Sequence, residues 1–326
     1  MEECEMLVLI WAGIISFCII MYVLLDGFTL GTGILMPVLS EHERDIAASM
    51  ILPTWDGNQT WLVLGLASLY GAFPLAFSVL LPALYLPLLL MAILLLFRGV
   101  VFEFRLKSDV GKSRWDMIFF FASICITILQ GLIVAKVVRG FGSSEAFINA
   151  FSCLTAAGLV VAYTLLGSTR LILKCEGDLQ KKMFAWSRVN AVVLIVAVSL
   201  VCFFTPFVHP RLYQLWSTVS NWPVLFWLPL FTICLSAGLL TSVKYRYEYM
   251  PYWISVLLVL SPLFGFIVSL YPYIVPYHIT IWQAASPSNT LAFLLFGASI
   301  MLPVLLVYTG YAYHIFRGKV KDVLHY

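Results

Sequence analysis

Polar residues in this chain fall into short clusters, and long apolar runs lie between them. A helix needs about 20 apolar residues to cross ~30 Å of hydrocarbon. On that scale the pattern predicts nine spans, at roughly 7–38, 57–77, 79–104, 115–138, 146–173, 184–207, 222–243, 251–274 and 288–316. Spans two and three are divided by a proline-bearing turn running from Phe73-Pro74 to Leu81-Pro82. Merging them gives an eight-span alternative, but the merged run of about 45 residues is too long for one crossing. The predicted fold is an all-α polytopic membrane protein, one integral membrane domain over residues 1–326.

Composition agrees with this reading. The chain is 62% hydrophobic and 11% charged, against about 25% charged for a soluble domain. The acidic start "MEECEM" lacks the basic region of a signal peptide, so the first span reads as a retained helix. There is no basic block of the kind that binds nucleic acid. The seven cysteines are scattered without a CxxC or CxxCH, so they indicate no zinc site, redox pair or c-type haem attachment.

Charge distribution sets an orientation. With the N-terminus outside, the inner segments hold Arg44, Arg105, Lys107, Lys112, Arg114, Arg170, Lys174, Lys181, Lys182, Arg188, Lys244, Arg246, Arg317, Lys319 and Lys321. The outer segments hold Lys136, Arg139 and Arg211. This asymmetry predicts a periplasmic N-terminus and a cytoplasmic C-terminus, and an odd number of spans. The outer loops, such as "YPYIVPYHITIW", are aromatic and nearly uncharged, as interfacial segments are.

Charge inside a span is costly and marks function by default. Asp26, Asp56, Arg98 and Glu103 qualify, all toward the inner side. One reading is a structural cluster of two carboxylates about one guanidinium; the other is a proton route through carboxylates of raised pKa. Glu103 reads as an interfacial partner of the neighbouring Arg105. Asp56 or Thr54 can cap the second span, but capping leaves Gly57, Asn58 and Gln59 unexplained. Gly27, Gly31 and Gly33 have the small-residue spacing of close helix packing. His42 and His325 lie in polar inner segments, and His209, His278 and His314 near span ends. None is placed mid-span as a facing haem ligand, so no cofactor or metal is expected in this chain.

The stretches "MYVLLDGFTLGTGILMP", "ILPTWDGNQTWLVLG" and "AFPLAFSVLLPALYLPLLLMAILLLFRGVVFEFR" resemble subunit II of the bacterial cytochrome bd-type quinol oxidases. The C-terminal "YPYIVPYHITIWQAASPSNTLAFLLFGASIMLPVLLVYTGYAYHIF" is similar to that family's last two spans. The wording "WLVLG" and "RGVVFEFR" is closer to the cyanide-insensitive branch. The resemblance implies nine transmembrane helices arranged as two four-helix bundles plus one additional helix. It implies a heterodimer with a haem-bearing subunit I, which carries haems b and d-type (or b only) and oxidises quinol. The complex, in the bacterial inner membrane, reduces dioxygen to water with protons taken from the cytoplasm. A small single-span accessory subunit is a further implied partner. Asp26, Trp55, Asp56 and Arg98 fall on the family's D-G-F, W-D-G-N and R-G motifs, which implies roles in assembly and a proton path. Thr29 stands where the family usually has a second aspartate, and Gln59 where it has Glu. A proton-coupled secondary transporter is the alternative function, but transporters place polar residues in both halves, and here intramembrane charge is confined to spans one to three.

Overall fold

A computed structural model describes residues 2–108, 111–141, 146–218 and 222–320. Lys321 and His325 lie outside the described residues. The helices are α1 (Glu2–Leu35), α2 (Glu41–Ile51), α3 (Trp55–Ala72), α4 (Pro74–Ala83), α5 (Tyr85–Lys107), α6 (Lys112–Arg139) and α7 (Ala150–Lys174). They continue as α8 (Gly177–Val208), α9 (Pro210–Ser217), α10 (Trp222–Lys244), α11 (Met250–Leu270), α12 (Ile281–Ala284) and α13 (Ser288–Ile315). A small antiparallel hairpin, β1 (Tyr273–Val275) and β2 (Ile279–Thr280), precedes α12.

Among the described residues, eight helices are long and apolar enough to cross a membrane: α1, α5, α6, α7, α8, α10, α11 and α13. The expected second span is α3, which falls outside that set because its first turn is the polar Trp55–Gln59 stretch. The expected turn between spans two and three is itself helical. Pro74 cannot donate to the preceding turn, so α3 ends at Ala72, with Phe73 as its cap, and the separate ten-residue α4 begins. The polar connection after α1 also folds, as α2. Its start is a capping box: Ser40 Oγ accepts from the Glu43 backbone and the Glu43 carboxylate accepts from the Ser40 backbone.

Glycine decides how the central helices meet. A Cβ on Gly31 would collide with the backbone carbonyl of Tyr163, and one on Gly167 with the backbone of Gly31 and Thr32. The α1 and α7 backbones therefore touch, as small residues permit in lipid. Gly27 lies against the Tyr163 ring, and Gly33 against Ser123 and Phe119 of α6. Around α1 pack α3, α6 and α7; α5 packs on α6; α8 and α11 pack on α7, with α10 on α8 and α11. The last helix, α13, lies at the edge against α1 and α3 and is mostly exposed.

The two ends of the helices differ in chemistry. One end gathers the basic residues into ion pairs. Arg105 Nε donates to Asp116 at 2.6 Å and its Nη2 to Asp45 at 2.8 Å. Lys182 pairs with Glu43 at 2.8 Å, and Lys319 with Glu248 at 2.7 Å. Burial alone would raise the Glu43 carboxyl, but hydrogen bonds from Lys182 and the Ser40 backbone outweigh it and hold the group below its ordinary 4.5. The opposite end is closed by apolar packing of Trp11, Phe73, Val275 and Ile281. There Ser286 donates its backbone N–H to Ala72 O at 2.9 Å. The His209 ring stacks on Tyr277 at 3.6 Å and 4°, and the Tyr277 hydroxyl donates to Val138 O at 2.6 Å. Burial, with Arg211 and His278 nearby, holds His209 below its ordinary 6.5. Burial likewise pushes Tyr277 up to about 12 against the pull of Arg211.

Two expectations follow. Gly31→Ala should destabilise the protein by about 1–3 kcal/mol or more, because backbone must move, while Gly13→Ala, which meets nothing within 4 Å, should be neutral; thermal melts in detergent compare them. A carboxyl held below its unfolded value stabilises the fold above that value and loses the contribution as pH falls. Glu43→Gln should therefore flatten the loss of stability as pH falls below 4.5, by about 1 kcal/mol or less for a partly exposed pair, as melts across that pH range measure.

Candidate buried ion-pair site

Among the described residues, the charges sealed completely from the surface lie on α1 and α5. Asp26 lies nine residues before the end of α1 and Arg98 nine before the end of α5, and these ends share the basic face. Arg98 Nη1 donates to Asp26 Oδ2 at 2.9 Å, and Nη2 stands 2.8 Å from Oδ1. Both residues are fully buried. A forked guanidinium–carboxylate contact is the strongest geometry for such a pair. In a medium without water, neither ion is tolerable without the other.

The other residues predicted for this cluster lie elsewhere. Asp56 is exposed on α3 and takes no part in the Asp26–Arg98 pair. It stands in the first turn of α3, where its charge suits the helix dipole. Thr54, at the cap position, makes no capping bond; its hydroxyl donates to Ile51 O at 3.4 Å. Glu103 is exposed and pairs with Lys107 at 3.4 Å, not with Arg105, because one helical turn separates the former pair while i and i+2 point apart. Trp55 rests on Gly99, the residue after Arg98, and on the Phe102 ring at 5.1 Å.

Asn58, which capping did not explain, is the side chain that α3 contributes. It is buried, and its Nδ2 donates to Leu25 O at 2.8 Å and to Thr29 Oγ1 at 3.3 Å. Its Oδ1 accepts from the Tyr313 hydroxyl of α13 at 3.1 Å. Thr29 thus binds a neutral amide at the position where the resemblance led one to expect a second carboxylate.

A second polar tie lies one turn from Asp26. Gln130 of α6 donates to the Tyr22 hydroxyl at 2.8 Å and accepts from the Tyr163 hydroxyl of α7 at 2.8 Å. Sequence reading did not single out these residues, although Gln130 inside an apolar span was a visible signal. It counted Arg170 only among the inner basic residues and passed over Asp45 and Asp116, which share Arg105. Among the described histidines, His42 lies on α2, His209 and His278 at turns, and His314 in the last turn of α13. None of these positions puts two histidines face to face in mid-helix, as a bis-histidine haem site needs.

Residues 7–316 match the family model described as cytochrome bd terminal oxidase subunit II. The chain belongs to that family. It is 23% identical over 367 aligned residues to cytochrome bd-I ubiquinol oxidase subunit 2 of Escherichia coli K12, covering 98% of this chain and 97% of the relative. It is 25% identical to cytochrome bd ubiquinol oxidase subunit 2 of Bacillus subtilis 168, covering 96% of each. Its fold matches a chain of the bd oxidase from Geobacillus thermodenitrificans with a TM-score of 0.79 at 14% identity, covering 95% of this chain and 98% of that one. Membership makes this subunit II of a respiratory terminal oxidase, part of an oxidoreductase complex in the membrane. Such a complex contains haem and a subunit I. The transporter reading is set aside.

Asp26→Asn should strand the Arg98 cation and cost about 3–5 kcal/mol, whereas Asp26→Leu combined with Arg98→Met should recover most of it. Thermal melts of the purified complex measure both; equal losses in the two variants would contradict the ion-pair account.

Proposed function

We propose that this chain is the haem-free subunit II of a cytochrome bd-type quinol oxidase. With a haem-bearing subunit I it oxidises quinol and reduces dioxygen to water, using protons from the cytoplasm. In this reading α3 is the ninth crossing, since its two ends meet opposite ends of its neighbours. Asn58 binds the α1 turn at Leu25 and Thr29, and Ala72 meets Ser286 before α13. One four-helix bundle is then α1, α3, α5 and α6, a second is α7, α8, α10 and α11, and α13 is the additional helix. The basic end is cytoplasmic by the positive-inside rule, which puts the N-terminus in the periplasm. The haems belong to subunit I, in keeping with the poor fit of the histidines here.

The observation that carries this reading is the exposure of Asp56. Asn58, two residues further on, binds the turn that holds Asp26, so Asp56 stands near that depth. The surface beside it is apolar, with Val63, Leu66, Tyr70 and Tyr308 exposed. A carboxylate facing outward at membrane depth needs a polar partner that lipid does not supply. A second subunit docked there supplies one, and the carboxylate then lines a proton entry along the seam. The buried Asp26–Arg98 pair has its partner already and serves to hold α1 against α5.

Asp56→Asn should lower quinol oxidase turnover about tenfold or more, as loss of a proton-transferring group does, with complex yield and haem spectrum unchanged. Reduced-minus-oxidised spectra of membranes containing this chain without subunit I should show none of the oxidase haem bands. Collapse of assembly together with turnover would make Asp56 structural, and haem bands from this chain alone would end the haem-free assignment.

A further inference from the structure

Arg170 is a buried cation of a different kind from Arg98. It lies one turn before the end of α7 and is 9% exposed. Among the described residues no carboxylate stands within ion-pair distance of it, and its Nε has no hydrogen-bond partner. Three aromatic rings surround the guanidinium instead. Its central carbon is 5.0 Å from the Phe28 ring centre, 4.9 Å from Tyr252 and 5.5 Å from Tyr313. These rings come from α1, α11 and α13. Attraction to aromatic faces is strong when the cation is desolvated, and the flat guanidinium suits stacking against rings.

One turn further on, Lys174 faces the end of the same helix, α13. Its Nζ donates to Phe316 O and to Gly318 O, and the Val320 backbone N–H donates to Lys174 O at 2.9 Å. Lys174 thus puts a positive charge at the negative end of the α13 dipole. The last turn of α7 grips a helix that is otherwise among the least buried in the protein.

Tyr313 has two faces of use. Its ring lies on Arg170, and its hydroxyl donates to Asn58 Oδ1. Asn58 in turn holds Leu25 O and Thr29 Oγ1, on either side of Asp26. A continuous set of contacts therefore runs from α7 through α13 and α3 to the turn of α1 that carries the ion pair.

We propose that Arg170 and Lys174 are positioning residues that dock α13, so that Tyr313 and Asn58 fix the α1 turn presenting Asp26 to Arg98. The effect on turnover rests on the functional reading above; the docking does not.

The test uses the complex with subunit I. Spin labels at Ile315 and Lys181, both exposed, report the place of α13 relative to α8. Arg170→Gln should broaden their distance distribution, and Arg170→Lys should not restore it, because an ammonium cannot stack on three rings. Turnover per haem should fall about threefold to tenfold in Arg170→Gln and similarly in Asn58→Ala. The double variant should be no worse than the weaker single one, and Arg170→Gln should add no loss in the Tyr313→Phe background. An unchanged label distance in Arg170→Gln overturns the docking. Losses that multiply in the double variant, or that follow haem content, overturn the positioning role. A broadened distance with full turnover leaves the docking standing and overturns the functional reading of the ion-pair turn.

Discussion

The interaction on which the arrangement depends is the forked contact between Asp26 and Arg98. Two ions sealed in an apolar interior are bearable only as a pair, and their charges come from helices 72 residues apart in sequence. Forming the pair fixes the depth of α1 against α5. Trp55 then lies over Gly99 and the Phe102 ring, next along α5 from the arginine. Asn58 binds the α1 carbonyl immediately before the aspartate. The register of three helices thus follows from one electrostatic requirement.

Around that pair the chain uses two other means of holding helices in lipid, where the hydrophobic effect gives no preference for helix over acyl chain. The first is close backbone approach, at Gly31 and Gly167 between α1 and α7. The second is the neutral polar bridge, as in Tyr22–Gln130–Tyr163 and Ser168–Ser187, where the Ser187 hydroxyl donates at 2.8 Å. The ion pairs of Arg105, Lys182 and Lys319 lie at the basic end, where water is near and an ion pair costs little to expose. The opposite end is packed by apolar side chains and by the stacking of His209 on Tyr277, with burial and Arg211 holding the His209 pKa below its ordinary value.

This separation bears on an oxidase subunit. Its sealed ion pair lies between α1 and α5, nearer the basic end, while at the far end Trp11, Phe73, Val275 and Ile281 form an apolar cluster. Asp56 stays exposed on α3.

The sequence by itself determined the solvent and the secondary structure. Long apolar runs leave the backbone no hydrogen-bond partner but itself, so helices were the necessary outcome. The basic residues marked one end of them because charge is excluded from hydrocarbon. Family membership was also legible, because W-D-G-N and R-G-x-x-F-E-F-R are local words. Only the tertiary structure decided who meets whom. Asp26, Asp56 and Glu103 look alike on paper, yet one is sealed on Arg98, one faces outward, and one lies beside Lys107. Which way a helix turns is set by its neighbours, and in a uniformly apolar helix the sequence has almost no amphipathic signal to record it. The same reason hid Asn58, Gln130 and Arg170: each finds its partners on helices that come close only when the bundle has closed.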